Sequence, residues 1–466
     1  MSVKDLYKNL NNDIENISRR SKSKKTDSIN KCFFESSAMD GIGLLDTEQI
    51  ENNISLESFD KYFGESTART AVERDSLEPL KDYEAVHSLR NAFGKPARLI
   101  EPEIGTHPEF KHLESDNKTS LGYVVTMFMD IIGSTKLGVS YSPEDVFLFK
   151  NNIITGAIET INAFDGHVHR IMGDAVMAFF RSQKNEEDDT LENSAIDAIN
   201  CAAYFIEVMN EIVKPQITEI AEENIGIRIG IDLGHKNFVL WSKYGIPGVH
   251  EVTATSFFVD IASKLQHKAP KNSIMLGETL VNKLGLTTND YLEYKSKNGE
   301  VDRYVIDVTA KDKSRLRYKQ YVLNQSKYFS LLPHGTQPSR INVIITYSND
   351  EYGLFNKIEY KNCASAIPKN KWVKFHATFR ETYGEQYEAL KFKFRVVNHG
   401  KEAGEKDNND NHETEIIKKA NEKENGVFVA SHKERTSYKG LQHMYISVIS
   451  NGVVVEKEII CSIFIQ

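Results

Sequence analysis

The hydrophobic pattern changes character three times along the chain. Residues 1–118 mix short polar helical stretches with breaks at "MDGIG" (39–43) and "FGKPARLIEPEIGTHPEF" (93–110). Their weak periodicity predicts a helical region partly wrapped around something else. From about 121 the texture tightens. "GYVVTMFMD" (122–130) is apolar almost throughout, as expected of a central strand covered on both faces. "SPEDVFLFKNNIITGAIETINAF" (142–164) opens with a helix-start signal, and Val146, Phe149, Ile153, Ala157 and Ile161 recur at helical spacing. "GHVHRIMGDAVMAFF" (166–180) predicts a hairpin with its tip at Met172-Gly173-Asp174. "ENSAIDAINCAAYFIEVMNEIVK" (192–214) predicts a second long helix, and "NIGIRIGIDLG" (224–234) a strand with one buried face. Strand, helix, hairpin, helix, strand is the order of an α+β sheet with helices on one face.

Two prolines and a glycine in "QSKYFSLLPHGTQPSR" (325–340) predict a linker. Beyond it, "NVIITYS", "WVKFHATF", "LKFKFRVVN" and "MYISVISNGVVVEKEIICSIFI" alternate at strand period, with Asn451-Gly452 as a hairpin turn. They predict a β-sandwich, with 400–426 as a mobile polar insertion. The expected domains are a helical region at 1–118, an α+β unit at 119–324, a linker at 325–340 and a sandwich at 341–466.

Composition narrows the class. A chain of 466 residues, 40% hydrophobic and 27% charged, has apolar content for several cores. The net charge of −8 argues against a broad footprint for nucleic acid or anionic lipid, despite the basic run "RRSKSKK" (19–25). No apolar stretch is long enough for a membrane span, and the first residues lack the apolar core of a signal peptide. The four cysteines are far apart and form no CxxC pair, so a cytoplasmic protein without disulfides is expected.

The chemistry concentrates at two aspartates. Asp130 ends the first strand and Asp174 sits at the hairpin tip 44 residues later. In an antiparallel arrangement the tip reaches the end of that strand, and two carboxylates meeting there call for a cation. Mg²⁺ or Mn²⁺ suits such a site, with phosphate oxygens completing the shell. Between the two lies "IIGST", Ile131 to Thr135, whose turn offers backbone N–H groups to an anion through Ile132, Gly133, Ser134 and Thr135. Paired metals and an amide cradle suit in-line attack on a phosphate. Phe128, on the same strand face as Asp130, is placed to pack against a base or simply to join the core.

"FMDIIGST" followed by "RIMGDAVMAFF" resembles the class III nucleotidyl cyclase catalytic domain over roughly residues 120–310. The resemblance implies a ferredoxin-like sheet and a head-to-tail homodimer with active sites at the interface. It further implies two metals per site on Asp130 and Asp174, with the Ile131 carbonyl assisting. The base-selecting positions fall on Arg170 and Thr253, and Arg170 departs from the Lys and Glu usual for ATP and GTP. Asp260 stands where the family usually has a ribose-orienting Asn, and Lys264 where it usually has a phosphate-binding Arg. "LKFKFRVVNHGKEA" and the last strands look like the sensor domain of cyclases and nucleotidyltransferases in bacterial antiphage systems. Together these features resemble the pyrimidine cyclases of Pycsar defence. The expected activity is therefore conversion of UTP, slightly ahead of CTP, to a 3′,5′-cyclic monophosphate read by a separate effector protein. The alternatives are an adenylate cyclase with unusual base selectors and an inactive nucleotide-binding module.

Overall fold

The computed structural model describes residues 2–24, 84–97, 103–115, 118–134, 137, 141–181, 191–216, 225–246, 248–287, 291–297, 299–309, 315–382, 387–407, 411–424 and 426–466. Thr135 and the break at 39–43 lie outside these. The chain divides into one unit of residues 1–15 with 84–466 and another of 16–83. Of the second, only the end of the helix Lys8–Lys24 is described.

The first unit runs through helix α1 (Glu84–Ala92), strand β1 (Val124–Ile132), helix α2 (Pro143–Ala163), the hairpin β2 (Gly166–Met172) and β3 (Ala175–Phe180), helix α3 (Leu191–Val208) and strand β4 (Gly226–Gly234). A ribbon of β5 (Leu240–Ile246) and β6 (Val249–Thr255) follows. Then come α4 (Phe257–Lys268), β7 (Ser273–Gly277), α5 (Glu278–Leu284), β8 (Tyr304–Thr309) and β9 (Arg315–Leu323). The main sheet is ordered β8-β9-β7-β4-β1-β3-β2, antiparallel except where β4 pairs β7. This is the expected α+β cyclase-type sheet. Ser142 caps α2 by accepting from the Asp145 N–H, and Pro143 with Glu144 fills the first turn.

The expectation for β4 is corrected. Strand β4 is buried on both faces, not one. Helices α3 and α4 both pack on β1 and β4. The isoleucines of β4 fill one side and Gly230 makes room on the other. A Cβ there would stand 2.2 Å from the Gln266 nitrogen and 2.3 Å from the Ala262 carbonyl oxygen of α4. Asp232, on the same face as Gly230, is buried but bonded: its carboxylate accepts from the Tyr318 hydroxyl at 2.7 Å and the Leu233 N–H at 2.8 Å. Burial pushes its pKa up to about 7.

The N-terminal segments do wrap. The Tyr7 hydroxyl bonds Thr160 of α2 at 2.7 Å. Lys95 reaches Asp165 and Asp197 at 2.9 Å, while Arg90 donates to Asp165 at 2.7 Å.

After β9, helix α6 (Gln325–Phe329) packs on α3, so the 325–340 stretch begins as a docked element. The C-terminal part contains β10 (Ile341–Ser348), β11 (Ile358–Tyr360), β12 (Trp372–Arg380), β13 (Lys391–His399), helix α7 (Lys401–Asp407), β14 (Asn411–Lys419), β15 (Asn421–Glu424), β16 (Val427–Arg435), β17 (Gly440–Ser450) and β18 (Val453–Ile465). Two sheets form, β11-β10-β12-β16-β15 and β18-β17-β13-β14, the latter extended at the β18 edge by a two-residue strand at Ala366–Ile367. Phe375 and Phe379 from one sheet meet Phe392, Phe394 and Ile446 from the other in a shared core. Asn451 and Gly452 both take positive φ, the conformation a tight hairpin needs. The insertion at 400–426 is not a loop: it supplies α7 and the strands β14 and β15, each the edge of one sheet. Its polar composition follows from that edge position, where little of a strand is buried.

The sandwich docks on α3 through buried amides. Asn200 donates to the Cys363 carbonyl at 2.9 Å and accepts from the Tyr328 hydroxyl at 2.8 Å. Asn193 accepts from the Ala366 N–H at 2.8 Å.

Candidate active site

The structure brings the two aspartates to adjacent strand ends. Along β1, Asp130 stands opposite Ala175 of β3 on one side and Arg228 of β4 on the other. Asp174 occupies the tight turn before Ala175, where Gly173 has φ +65°. The Asp174 carbonyl accepts from the Ile131 N–H at 3.2 Å, which ties the hairpin tip to the end of β1. Gly133, at φ +78°, turns the chain out of the sheet directly after Ile132. That turn delivers Ser134, whose hydroxyl donates to Asp174 Oδ2 at 2.6 Å.

Each carboxylate also faces a cation. Asp130 Oδ2 accepts from Arg228 Nη2 at 2.5 Å and from Gln266 Nε2 at 3.1 Å. Lys150 Nζ of α2 lies 3.5 Å from Asp174 Oδ2. Both aspartates keep open surface, with 20% and 30% of their side chains exposed. Among the described residues no group of three or more His, Cys, Asp and Glu side chains converges. A hard divalent cation fits this donor set, because Mg²⁺-type ions are held by one or two carboxylates with substrate oxygens and water supplying the rest.

The two positions expected to select the base, Arg170 and Thr253, lie on β2 and β6. Arg170 sits on the edge strand β2 next to a register irregularity. Its Nε donates to Glu251 Oε2 at 2.6 Å, and its Nη2 pairs with Glu251 Oε1, a two-point fork. Glu251 and Thr253 are two residues apart on β6 and so share one face. Phe128 packs against the cluster of Trp241, Val252 and Met177. Asp260 and Lys264 are exposed on α4, four residues apart on one face. Among the described residues no hydrogen bond or ion pair links either of them to Asp130 or Asp174.

Four residues of this arrangement escape a reading of the sequence. Arg228 leaves a signal, the single cation in the alternation of β4. Glu251 leaves another, a carboxylate two positions before Thr253 that complements Arg170. Gln266 and Lys150 leave none. The histidines beside Arg170 are structural: His167 and His169 both bond the Gly105 carbonyl, and burial holds His169 down to about 4.

The chain is similar to known proteins in two regions. Residues 117–325 match the family described as the adenylate and guanylate cyclase catalytic domain. Residues 317–466 match the adenylyl/guanylyl and SMODS C-terminal sensor domain. A cytidylate cyclase of Escherichia coli is 75% identical over 100% of both chains. One of Staphylococcus aureus is 35% identical, covering 87% of this chain and 93% of its own. Among solved structures, the adenylyl cyclase CyaB from P. aeruginosa is 18% identical over 44% of this chain and 95% of its own, at TM-score 0.34. No described helix is long and apolar enough to cross a membrane. The chain is therefore a nucleotide cyclase, and it belongs to the class III cyclase family in the branch that carries a C-terminal sensor domain.

Proposed function

We propose that the protein cyclises CTP to 3′,5′-cyclic CMP and pyrophosphate, with UTP the weaker substrate. The observation that carries the base choice is the Arg170–Glu251 fork. Arg170 alone offers only donors, which favours the O4 of uracil over the 4-amino group of cytosine. Paired, it spends Nε and Nη2 on Glu251, and Glu251 brings an acceptor to the same place. Cytosine presents a donor and an acceptor side by side, its 4-amino group and N3, which complements a carboxylate beside a guanidinium. Uracil presents the reverse order, which fits only if the carboxylate and the guanidinium exchange places. Adenine shares the cytosine pattern at N6 and N1, so rejection of ATP rests on ring size: the long arginine reaches further into the pocket than the family's lysine. The relatives described as cytidylate cyclases support the same choice.

The phosphate end is read by Asp130, Asp174 and the Ile131 carbonyl, which would hold one or two divalent cations, Mg²⁺ or Mn²⁺. Such a cation supplies charge neutralisation for attack of the ribose 3′-hydroxyl on the α-phosphate. Ser134 and Gln266 orient the two carboxylates through the bonds described above. Arg228 and Lys150 lower the cost of gathering negative charge there. Lys264 acts as a point charge on phosphate and Asp260 faces the ribose.

Lys264 and Asp260 are exposed on α4 and bond neither carboxylate, which supports reading the site of one chain as incomplete. A second copy, related head to tail, would complete it. Support comes from the apolar tip of the ribbon, where Ile246 is 67% and Val249 73% exposed. The sensor domain and the pyrimidine product suit a messenger read by a separate effector in antiphage defence. Incubating the purified chain with equal CTP, UTP, ATP and GTP and Mn²⁺, then identifying the cyclic products, tests the reading. Mainly cyclic CMP is expected; mainly cyclic AMP or cyclic GMP overturns it.

A further inference from the structure

The outer face of the sheet β11-β10-β12-β16-β15 carries a cluster of lysines around His376, although the chain as a whole is acidic and Glu359 shares that face beside Lys361. Along β12 the residues Val373, Phe375, Ala377 and Phe379 point into the sandwich, so Trp372, Lys374 and His376 point out. Register places Lys374 directly opposite Lys433 of β16, two like charges in one antiparallel pair. Such a pair is unfavourable unless a counter-charge sits on it. Among the described residues none does: Lys357, Lys374, Lys423 and Lys433 make no ion pair. His376 reports the same field, since burial and then the charges of Lys374, Lys423 and Lys357 hold its pKa below the ordinary histidine value.

Aromatic rings border this cluster. Lys433 Nζ lies 5.3 Å from the centre of the Tyr352 ring, which is 78% exposed. The loop that carries Tyr352 is held in shape by Asp350, whose carboxylate accepts from the N–H groups of Tyr352, Leu354 and Phe355 at 2.8–3.1 Å. Phe355, 67% exposed, is displayed by the same loop. Trp372 pairs with Arg435 at the same end of the face. The result is a strand surface with unpaired lysines across it and rings fixed at its margin.

We propose that this face binds single-stranded nucleic acid. Lysines spaced along a sheet neutralise successive phosphates, and exposed rings stack unpaired bases without reading sequence. A duplex hides its bases from Tyr352 and Phe355, and an anionic membrane would use the lysines and leave the rings without a stacking partner. The whole-chain charge argues against a nucleic-acid partner only as an average; the alternation of a strand sorts cations to one face and hides them from that average.

The test is fluorescence anisotropy of the full-length protein with a labelled 20-mer of oligo(U), a duplex of equal length, and phosphatidylserine vesicles as a separate arm. Oligo(U) is expected to bind, with a salt slope set by about 0.7 per phosphate neutralised. Lys374→Glu with Lys433→Glu should weaken binding at least about tenfold and flatten the slope by about 1.4. Tyr352→Ala should weaken binding with the slope unchanged. The single change Lys433→Glu faces Lys374 with an opposite charge, so it should raise the melting temperature while it weakens binding, which separates lost affinity from lost folding. Nucleotide cyclisation should be unchanged in all of these variants. No binding of oligo(U), equal binding of the duplex, binding of vesicles alone, or affinity indifferent to the lysines each overturns the proposal.

Discussion

Replacing Glu251 by alanine is the sharpest test of how the base is read. The Arg170–Glu251 pair is half exposed, with 38% and 39% of the side chains open to solvent. Ion pairs of that exposure contribute roughly 0–1 kcal/mol, so the variant should fold with a nearly unchanged melting temperature. Catalysis should respond far more. On the proposed reading the carboxylate would accept from the 4-amino group of cytosine, and a hydrogen bond to a charged group is worth about 1.5–3 kcal/mol. Its loss should lower kcat/KM for CTP by about 10- to 150-fold. UTP should move the other way. With Glu251 gone, the repulsion between its carboxylate and uracil O4 disappears and all the Arg170 donors are free for that oxygen. The ratio of cyclic CMP to cyclic UMP from an equimolar mixture should therefore fall by more than the CTP rate itself. Products are separated by mass spectrometry in a competition assay, which cancels errors in active-enzyme concentration. A folded variant that keeps the parental product ratio would show that the fork is a surface ornament and that selection lies elsewhere.

The geometry carries further expectations. Asp130→Ala or Asp174→Ala should abolish cyclisation while leaving circular dichroism intact, and mixing Asp130→Ala chains with Lys264→Ala chains should restore part of it through one hybrid site. Turnover within tenfold of the parent in both aspartate variants would dismiss the metal assignment. Ile246→Asp with Val249→Asp, at the exposed ribbon tip, should give monomers in sedimentation and lose activity; a fully active monomer contradicts the composite site. Asp232 holds its proton up to about pH 7 in the fold but only to about 4 when unfolded. Its contribution to stability is thus complete below pH 4 and fades as pH rises toward 7. Asp232→Asn should flatten the fall in melting temperature across that window, and an identical pH profile would refute the assignment.

What the sequence disclosed and what it withheld divide along a physical line. Elements whose periodicity is set by neighbours nearby in the chain were readable: the cap at Ser142, the hairpin tip at Asp174, the Asn451-Gly452 turn. So was the meeting of Asp130 with Asp174, because a hairpin next to a strand leaves few ways to place its tip. Strand β4 misled because burial of its second face depends on α4, and only the clash a Cβ at Gly230 would make with Ala262 and Gln266 shows how closely that helix lies. The insertion at 400–426 misled because composition separates buried from exposed segments, and an edge strand is both exposed and ordered.

The same reasoning explains two pairings that reading residues one at a time leaves out. Arg170 and Glu251 are 81 residues apart and belong to different sheets, so their pairing is a property of the ribbon's position over the edge of β2. Read singly, Arg170 argues for uracil; read with its partner, it argues for cytosine. Lys374 and Lys433 are likewise distant in the chain and adjacent only through register. In both places the informative quantity is a pairwise charge relation created by strand alignment. Net charge and motif identity sum over residues or compare them one at a time, so neither can register it. A carboxylate facing a guanidinium beside an edge strand, or a lysine facing a lysine on an open sheet, is therefore a relation that strand register reveals and residue-by-residue reading misses.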